Sequence, residues 1–326
     1  MGQVRLLLSI ASLAVLSGCA DRNYVGPGAG PNTPSLLSRH SVTGNIASTE
    51  TSLANSTSSA LPADKLIALT FDDGPRPYVL FGTQGVHPAP GLIDILDKNG
   101  VKATFFVVGW RLTPKTWGEP RHEADIGVTC IDAAQQLTRR GHELEDHTYS
   151  HLELRSAEKK MGVQWVMHDV DRGAQAIKAV TGMQPRYVRP PDWIISNDAS
   201  RELQQQGYRV LTISARNPMA LRDVNSLDYL CAGKNPAGCP KPSLADAVLK
   251  QVEYREKKGT YTHILAFHEL STTANVMPRL ISDLKARGYR FVTLTEYMKL
   301  VMSKPGVTVK QQASATRQTG DVALSR

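Results

Sequence analysis

Short apolar runs alternate with helix-like stretches along most of this 326-residue chain, and this alternation limits the fold more than any other feature. The candidate strands lie at 65–71, 102–108, 142–144, 187–189, 208–213, 263–268 and 290–294. The candidate helices lie between these strands, at 91–99, 131–140, 157–181, 197–206, 244–257 and 276–287. Ser156, Ser196 and Ser243 are the predicted N-caps of three of them. Repeated strand–helix units predict an α/β fold with a parallel sheet, and about seven units suit a barrel, complete or incomplete.

Both ends of the chain lack this alternation. Arg5 and the apolar run 6–16 predict an export signal, which is too short for a comfortable transmembrane helix. The run ends in Leu16-Ser17-Gly18-Cys19, which resembles a bacterial lipobox and predicts lipidation of Cys19. The alternative is an ordinary signal peptide with an incidental cysteine. We expect a signal at 1–19, a flexible Ser/Thr/Gly/Pro-rich tether at 20–63, the folded domain at 64–304 and a disordered tail at 305–326.

The residue after Cys19 indicates where the exported protein would reside. It is Ala20 and not Asp, which by resemblance to sorting signals favours the outer membrane of a Gram-negative cell, with the domain facing the periplasm. The formal charge of +8 is scattered along the chain, without a run of five like charges. This pattern favours an anionic neighbourhood such as a cell envelope, and it does not indicate a nucleic-acid partner.

Export also affects what is expected of the cysteines, because the compartment outside the cytoplasm is oxidising. Cys231 and Cys239 flank a short loop rich in glycine and proline, and we expect them to form a disulfide. Cys130 is then left over, either as a buried apolar residue or as a free thiol.

Two adjacent carboxylates follow the first predicted strand. Asp72 and Asp73 lie between the apolar run 65–69 and a turn at Gly74-Pro75, in the hexapeptide Thr70-Phe71-Asp72-Asp73-Gly74-Pro75. The loops at strand ends carry the sites of many β/α folds. Neighbouring side chains of a regular strand point in opposite directions, so one Asp could bind a metal while the other acts as a base. A polar cap between strand and turn is the alternative interpretation.

Three further polar residues or pairs also follow predicted strands. His147 and His151 are four residues apart, and in a helix they would share one face and could grip one cation. Two histidines and one Asp leave coordination positions open for water, as in catalytic zinc sites. Arg189 precedes two prolines and can hold a carboxylate through two hydrogen bonds, and His268 ends an apolar strand. The alternatives are surface histidines, a surface Arg and a core histidine with a satisfied ring.

Together and in this order, these motifs resemble carbohydrate esterase family 4, the NodB-homology polysaccharide deacetylases. The resemblance extends over roughly 66–297 and implies a distorted (β/α) barrel. It implies a divalent metal, Zn²⁺ above all and otherwise Co²⁺ or Ni²⁺. It implies hydrolysis of N-acetyl groups on an envelope or extracellular polysaccharide with N-acetylglucosamine-type units. The residues carried over are Asp73, His147 and His151 as metal ligands, Asp72 as general base, Arg189 as its orienting partner, and His268 as general acid.

The sequence departs from the family pattern at two positions near the expected substrate. Asp192 follows Arg-Pro-Pro where the family usually has an aromatic residue, and a backbone N–H near Asp192 is expected to stabilise the oxyanion. Ala266 stands where the family usually has Leu, which predicts a wider pocket for the acetyl methyl group.

A third departure concerns the carboxylate that pairs with the catalytic histidine. It is expected near 211–216, where no Asp occurs and Ser214 is the closest equivalent; Asp223 or Glu269 could supply the carboxylate instead. Two other functions therefore stay open. One is an O-acetyl esterase that acts on a polysaccharide, and the other is a non-catalytic carbohydrate-binding protein of the envelope.

Overall fold

The computed structural model describes residues 65–83, 89–113, 127–212, 223–232 and 238–302. The predicted export signal with Cys19, the tether and the tail lie outside these ranges, and so does Ser214. Among the helices of the described ranges, none combines the length and the apolar character that crossing a bilayer requires.

A curled parallel sheet forms the centre of the fold. The described strands are β1 (Leu66–Gly74), β2 (Gly82–Thr83), β3 (Ala89–Pro90), β4 (Thr104–Val107), β5 (Glu143–Asp146), β6 (Tyr187–Val188), β7 (Arg209–Val210), β8 (Asp223–Asn225), β9 (Thr262–His268) and β10 (Arg290–Val292). The main sheet has the order β7-β6-β5-β4-β1-β9-β8, with β10 paired to the beginning of β1, while β2 and β3 form a separate hairpin. All pairings of the main sheet are parallel, which confirms the predicted α/β fold as an incomplete, distorted barrel of seven strands plus β10.

Helices connect the strands and cover the outer face of the sheet. The described α-helices are α1 (Pro77–Leu80), α2 (Leu92–Lys98), α3 (Cys130–Arg139), α4 (Leu154–Met161), α5 (Val163–Thr181), α6 (Asn197–Gln205), α7 (Leu244–Glu256), α8 (Ser271–Ala286) and α9 (Leu294–Met302). Three 3-10 helices lie at Gly109–Leu112, Pro191–Trp193 and Asp228–Cys231.

The two faces of β1 have different partners. Ile67, Leu69 and Phe71 belong to the large cluster between the sheet and the covering helices. Leu66 and Ala68 point to the opposite face, where they pack with residues of α9. This alternation places Thr70 and Asp72 on the inner face at the carboxyl end of the strand, which is the end where β/α folds build their sites.

Some predicted elements differ from the observed ones. The stretch 157–181 is not one helix: Gly162, with a φ of 87°, separates α4 from α5. Ser156 is not an N-cap, because the side chain of Glu153 caps α4 by accepting the backbone N–H groups of Arg155 and Ser156. The predicted N-caps Ser196 and Ser243 are confirmed. The strand β8 and the helix α9 were not predicted.

Candidate active site

The first strand delivers two carboxylates into different surroundings. Asp72 is 1% exposed and lies opposite His268 in the pairing of β1 with β9. Asp73 has a φ of 69°, and the pairing of β1 with β4 shifts register between Phe71 and Gly74. This irregularity, rather than the regular strand alternation expected from the sequence, sets the direction of the Asp73 side chain.

Arg189 holds Asp72 in place. Its Nη1 donates hydrogen bonds to Asp72 Oδ1 at 2.6 Å and to Thr70 Oγ1 at 2.9 Å. The guanidinium also lies over two aromatic rings, 4.0 Å from the centroid of Phe106 and 4.6 Å from that of Trp193. Because Arg189 and Asp72 are both buried, removal of either partner would leave an uncompensated charge away from water.

The three predicted metal ligands converge on one point. Asp73 Oδ1 lies 2.8 Å from His151 Nε2 and 3.3 Å from His147 Nε2. His147 Nδ1 is 2.7 Å from the carbonyl oxygen of Arg189 and donates to it, so the neutral ring would offer the lone pair of Nε2 to a cation. Without a cation, Nε2–H groups of His147 and His151 can face Asp73 instead. Burial disfavours the charged carboxylate, but these hydrogen bonds hold the pKa of Asp73 well below its ordinary value.

The two histidines do not share a helix face. Residues 147–151 form an irregular loop after β5, with positive φ at Thr148 (67°) and His151 (59°). The hydrogen bond from His151 N–H to Thr148 Oγ1, at 3.1 Å, stabilises this turn. The helical premise of the sequence analysis is therefore wrong, although the pairing of the two rings that it predicted is present.

The long helix α5 supports the histidine loop, a contribution that sequence analysis missed. Asp169 on α5 accepts hydrogen bonds from Ser150 Oγ at 2.9 Å and from Ser150 N–H at 3.2 Å. Gly173, one turn further on, lies so close that a Cβ there would be 2.4 Å from Asp146 Oδ1. The close approach of helix and loop requires glycine at this position.

The partner of His268 is Asp228, which corrects the prediction that centred on Ser214 and named Asp223 and Glu269 as substitutes. Asp228 Oδ1 lies 2.7 Å from His268 Nδ1, and Asp228 Oδ2 accepts the His268 backbone N–H at 2.7 Å and Thr273 Oγ1 at 2.6 Å. Burial disfavours the imidazolium, but the hydrogen bond and charge of Asp228 outweigh it and raise the pKa of His268 to about 9.

The sequence did not indicate Asp228 as the partner of His268, because the strand before Asp228 is short. It begins the 3-10 helix Asp228–Cys231, which follows the three-residue strand β8. The structure contains the expected disulfide between Cys231 and Cys239, which ties the end of this helical turn to the following loop. Cys130 is fully buried, as the buried-residue alternative predicted.

The two predicted substrate-side residues lie at the same end of the sheet. Asp192 is exposed and occupies the middle of the 3-10 helix Pro191–Trp193, with a φ of 54°. Ala266 on β9 lies opposite Thr70 and two residues before His268, so it shares the inner face with the site.

The donor set fits a divalent cation. Among the described residues, Asp73, His147 and His151 form the one group of three or more His, Cys, Asp or Glu side chains whose donor atoms all lie within 4.8 Å of one another. One carboxylate oxygen and two imidazole nitrogens match the preferences of Zn²⁺ and of several transition metals.

Known proteins similar to this chain are deacetylases that act on polysaccharides. Residues 60–211 match the family described as polysaccharide deacetylase. The chain is 26% identical over 233 residues to the chitin deacetylase of Colletotrichum lindemuthianum. The aligned region covers 71% of this chain and 78% of that protein. The chain therefore carries a polysaccharide deacetylase domain, in agreement with the resemblance to carbohydrate esterase family 4. The bifunctional xylanase/deacetylase of Pseudobutyrivibrio xylanivorans is 26% identical over 246 residues. The match covers 76% of this chain but only 32% of the length of that relative.

Solved structures of polysaccharide deacetylases share the fold. The peptidoglycan deacetylase PdaC from Bacillus subtilis superposes with a TM-score of 0.51 at 24% identity, covering 73% of this chain and 92% of that one. The same fold occurs in a family pseudoenzyme from Bacillus anthracis, with a TM-score of 0.50 at 19% identity. Likeness of fold alone therefore does not establish catalysis, and the argument for activity rests on the side chains of the site.

Proposed function

We propose that this protein is a metal-dependent hydrolase that removes N-acetyl groups from a polysaccharide with N-acetylglucosamine-type units and releases acetate. The observation that carries the proposal is one arrangement of side chains. A three-ligand cation site lies beside Asp72, a buried carboxylate, and His268, a histidine paired with Asp228. These are the groups that amide hydrolysis requires: a site for a Lewis acid, a base and an acid.

Asp72 is the general base of this proposal. A divalent metal held by Asp73, His147 and His151, zinc above all and otherwise cobalt or nickel, would lower the pKa of water and polarise the acetyl carbonyl. The ion pair with Arg189 limits the rotation of Asp72 and holds its carboxylate where it can accept a proton from the attacking water.

His268 is the general acid. Its pKa of about 9 keeps the imidazole protonated at neutral pH, and Asp228 fixes the ring through Nδ1, which leaves the Nε2 proton for the leaving group. An amine must be protonated to leave a tetrahedral intermediate, whereas an alcohol of an ester leaves more easily. The strong pairing of His268 with Asp228 thus favours amide over ester substrates and N-deacetylation over the O-acetyl esterase alternative.

Two further residues complete the proposed substrate side. The backbone N–H of Asp192 is the proposed donor to the developing oxyanion, because Pro191 has no N–H and the N–H of Trp193 donates to the carbonyl oxygen of Pro190. Ala266 leaves more space beside the acetyl methyl group than a larger apolar residue would.

The decisive test is acetate release from a panel of peptidoglycan, chitin oligomers and exopolysaccharide. It compares the parent with Asp72→Asn, with and without added zinc and after chelation, on amide and ester substrates. Metal-dependent acetate release from amides that Asp72→Asn abolishes is the expected result. Release from esters alone would favour the O-acetyl esterase. Glycan binding without acetate from any substrate would favour the non-catalytic envelope protein.

We also propose that the protein is exported and anchored to the cell envelope through a lipid on Cys19, with its domain facing the periplasm. Lipidation of the cysteine would bring the domain to polymers of the envelope, in agreement with the proposed substrate class. Cys19→Ala should move the protein from the membrane fraction to the soluble fraction. An unchanged distribution between the two fractions would rule out the lipid anchor.

A further inference from the structure

We propose that Arg76 is a positioning residue for the cation site: it occupies one oxygen of Asp73 and leaves the other as the single carboxylate ligand. This inference rests on the proposed function only for the presence of a metal. It assigns a role to a residue outside the sequence motifs, directly after the turn that ends β1.

The two oxygens of Asp73 have separate partners. Oδ1 faces the two imidazole Nε2 atoms, at 2.8 Å and 3.3 Å. Oδ2 is 3.3 Å from Nη2 of Arg76, and Nε of the same guanidinium is 3.4 Å from the Asp73 carbonyl oxygen. The carboxylate is thus divided between a cation-binding side and a guanidinium side.

Arg76 is itself fixed at its backbone. Its N–H donates to Glu269 Oε2 at 2.6 Å, and its carbonyl oxygen accepts the N–H groups of Val79 and Leu80, both at 3.0 Å. The residue is only 8% exposed, and its guanidinium also interacts with Tyr78, so the side chain is held in place beside Asp73. A substitution at this position changes the guanidinium without removing the contacts that hold the main chain.

Glu269 fixes the turn that carries Arg76 from the neighbouring strand, β9. The side chain is fully buried, directly after His268, and its backbone N–H donates to the carbonyl oxygen of Asp72 at 3.1 Å. A Cβ at Gly74 would lie 1.7 Å from Glu269 Oε1, so glycine at this position makes room for the carboxyl group. Glu269 therefore links the turn that carries Arg76 to the strand that carries the proposed acid.

The division of the carboxylate has a chemical consequence. A carboxylate free to rotate can bind a cation through both oxygens, which fills one more coordination position. With Oδ2 held by Arg76, Asp73 gives one oxygen, and positions stay open for water and the acetyl oxygen. The guanidinium charge also draws electron density from the carboxylate and repels a nearby cation, which weakens metal binding but makes the metal a stronger Lewis acid.

The test uses Arg76→Gln and Arg76→Lys in the full chain, with Arg201→Gln as the matched control. Arg201 also pairs with an Asp three residues away, Asp198 at 2.8 Å, but on an exposed helix surface. The measurements are the visible absorption spectrum of the cobalt-substituted protein, which reports coordination number, the zinc affinity by competition with a chelator, and the thermal unfolding midpoint.

For Arg76→Gln we expect a weaker cobalt absorption, indicating an extra ligand, and zinc affinity raised by about tenfold through loss of the repulsive charge. Arg76→Lys should lie closer to the parent, and Arg201→Gln should match the parent in spectrum and affinity. If Arg76 only supported the fold, Arg76→Gln would damage the site and lower its zinc affinity instead of raising it. An unchanged cobalt spectrum or a weakened zinc affinity in Arg76→Gln would overturn the proposal. A parent that binds cobalt but releases no acetate would refute the proposed function alone, since the spectra still decide the role of Arg76.

Discussion

The pairing of His268 with Asp228 gives the sharpest prediction. Substitution of Asp228 by Asn removes a negative charge 2.7 Å from the imidazole but keeps the size of the side chain. An Asn oxygen can still accept the His268 backbone N–H and the Thr273 hydroxyl. The substitution therefore changes the protonation of His268 more than it changes the packing around it.

The magnitude follows from the pKa of His268. Asp228 is the main cause that raises this pKa from 6.5 to about 9, against the opposing effect of burial. Without that carboxylate the pKa should return to 6.5 or below. At pH 8 the protonated fraction would fall from roughly nine-tenths to roughly one-thirtieth, which predicts at least about thirtyfold lower kcat/KM. At pH 6 a pKa of 6.5 would reduce kcat/KM by only about 1.3-fold, and a lower pKa would reduce it further, so the loss should be much smaller at pH 6 than at pH 8.

The assay is kcat/KM for acetate release against pH, from 5 to roughly 10, for the parent, Asp228→Asn and the control Thr273→Val. The control removes one hydrogen bond to the same carboxylate and keeps its charge, so its alkaline limb should stay near that of the parent. A bound cation repels the imidazolium in all three proteins, so the displacement between the limbs is the quantity to compare. An alkaline limb of Asp228→Asn that coincides with the parent's, with fold and metal content intact, would show that His268 is not the acid.

The same pair contributes to stability. Because the pKa of His268 in the folded protein is raised, its contribution is fully present below pH 6.5 and is lost as the pH rises through about 9. A difference of roughly 2.5 in pKa corresponds to about 3 kcal/mol. The unfolding free energies of the parent and Asp228→Asn should therefore differ more at pH 6 than at roughly pH 10.

Three further predictions concern the metal, the supporting helix and the disulfide. His147→Ala should lose stoichiometric zinc, measured by elemental analysis, while circular dichroism stays native; retained zinc at neutral pH would contradict the ligand assignment. Gly173→Ala should destabilise the fold by about 1–3 kcal/mol in denaturant titration, because its Cβ would meet Asp146 Oδ1 at 2.4 Å; an unchanged midpoint would show that the loop can move aside. Joint replacement of Cys231 and Cys239 by Ser should cost about 2.5 kcal/mol, since the disulfide closes a loop with a sequence separation of 8; free alkylation of both cysteines in the unreduced parent would disprove the bridge.

The corrections share one physical origin. His147 and His151 were correctly paired by their spacing, but the helix that would have explained the pairing is absent, because two positive φ angles form a loop instead. Asp228 was missed because β8 has only three residues, too few for alternation to be visible, and because it lies 40 residues before the histidine that it contacts. Spacing can show which residues lie near one another along the chain, but not how a distant turn folds back.

The sequence by itself determined the α/β class, because apolar periodicity is a local property of each strand and helix. It also determined which strand ends carry carboxylates and imidazoles, since Asp72, Asp73 and His268 follow runs of apolar residues and His147 follows the short predicted strand at 142–144. The family resemblance implied that Arg189 orients Asp72, but only the tertiary structure decided the partner of His268 and the contact of Glu269 with Arg76. The contacts of Arg189 with Asp72, of Asp228 with His268 and of Glu269 with Arg76 join residues that are 117, 40 and 193 positions apart. Such contacts depend on the order and curl of the parallel strands, which bring their carboxyl ends to one edge, and no local pattern encodes that geometry.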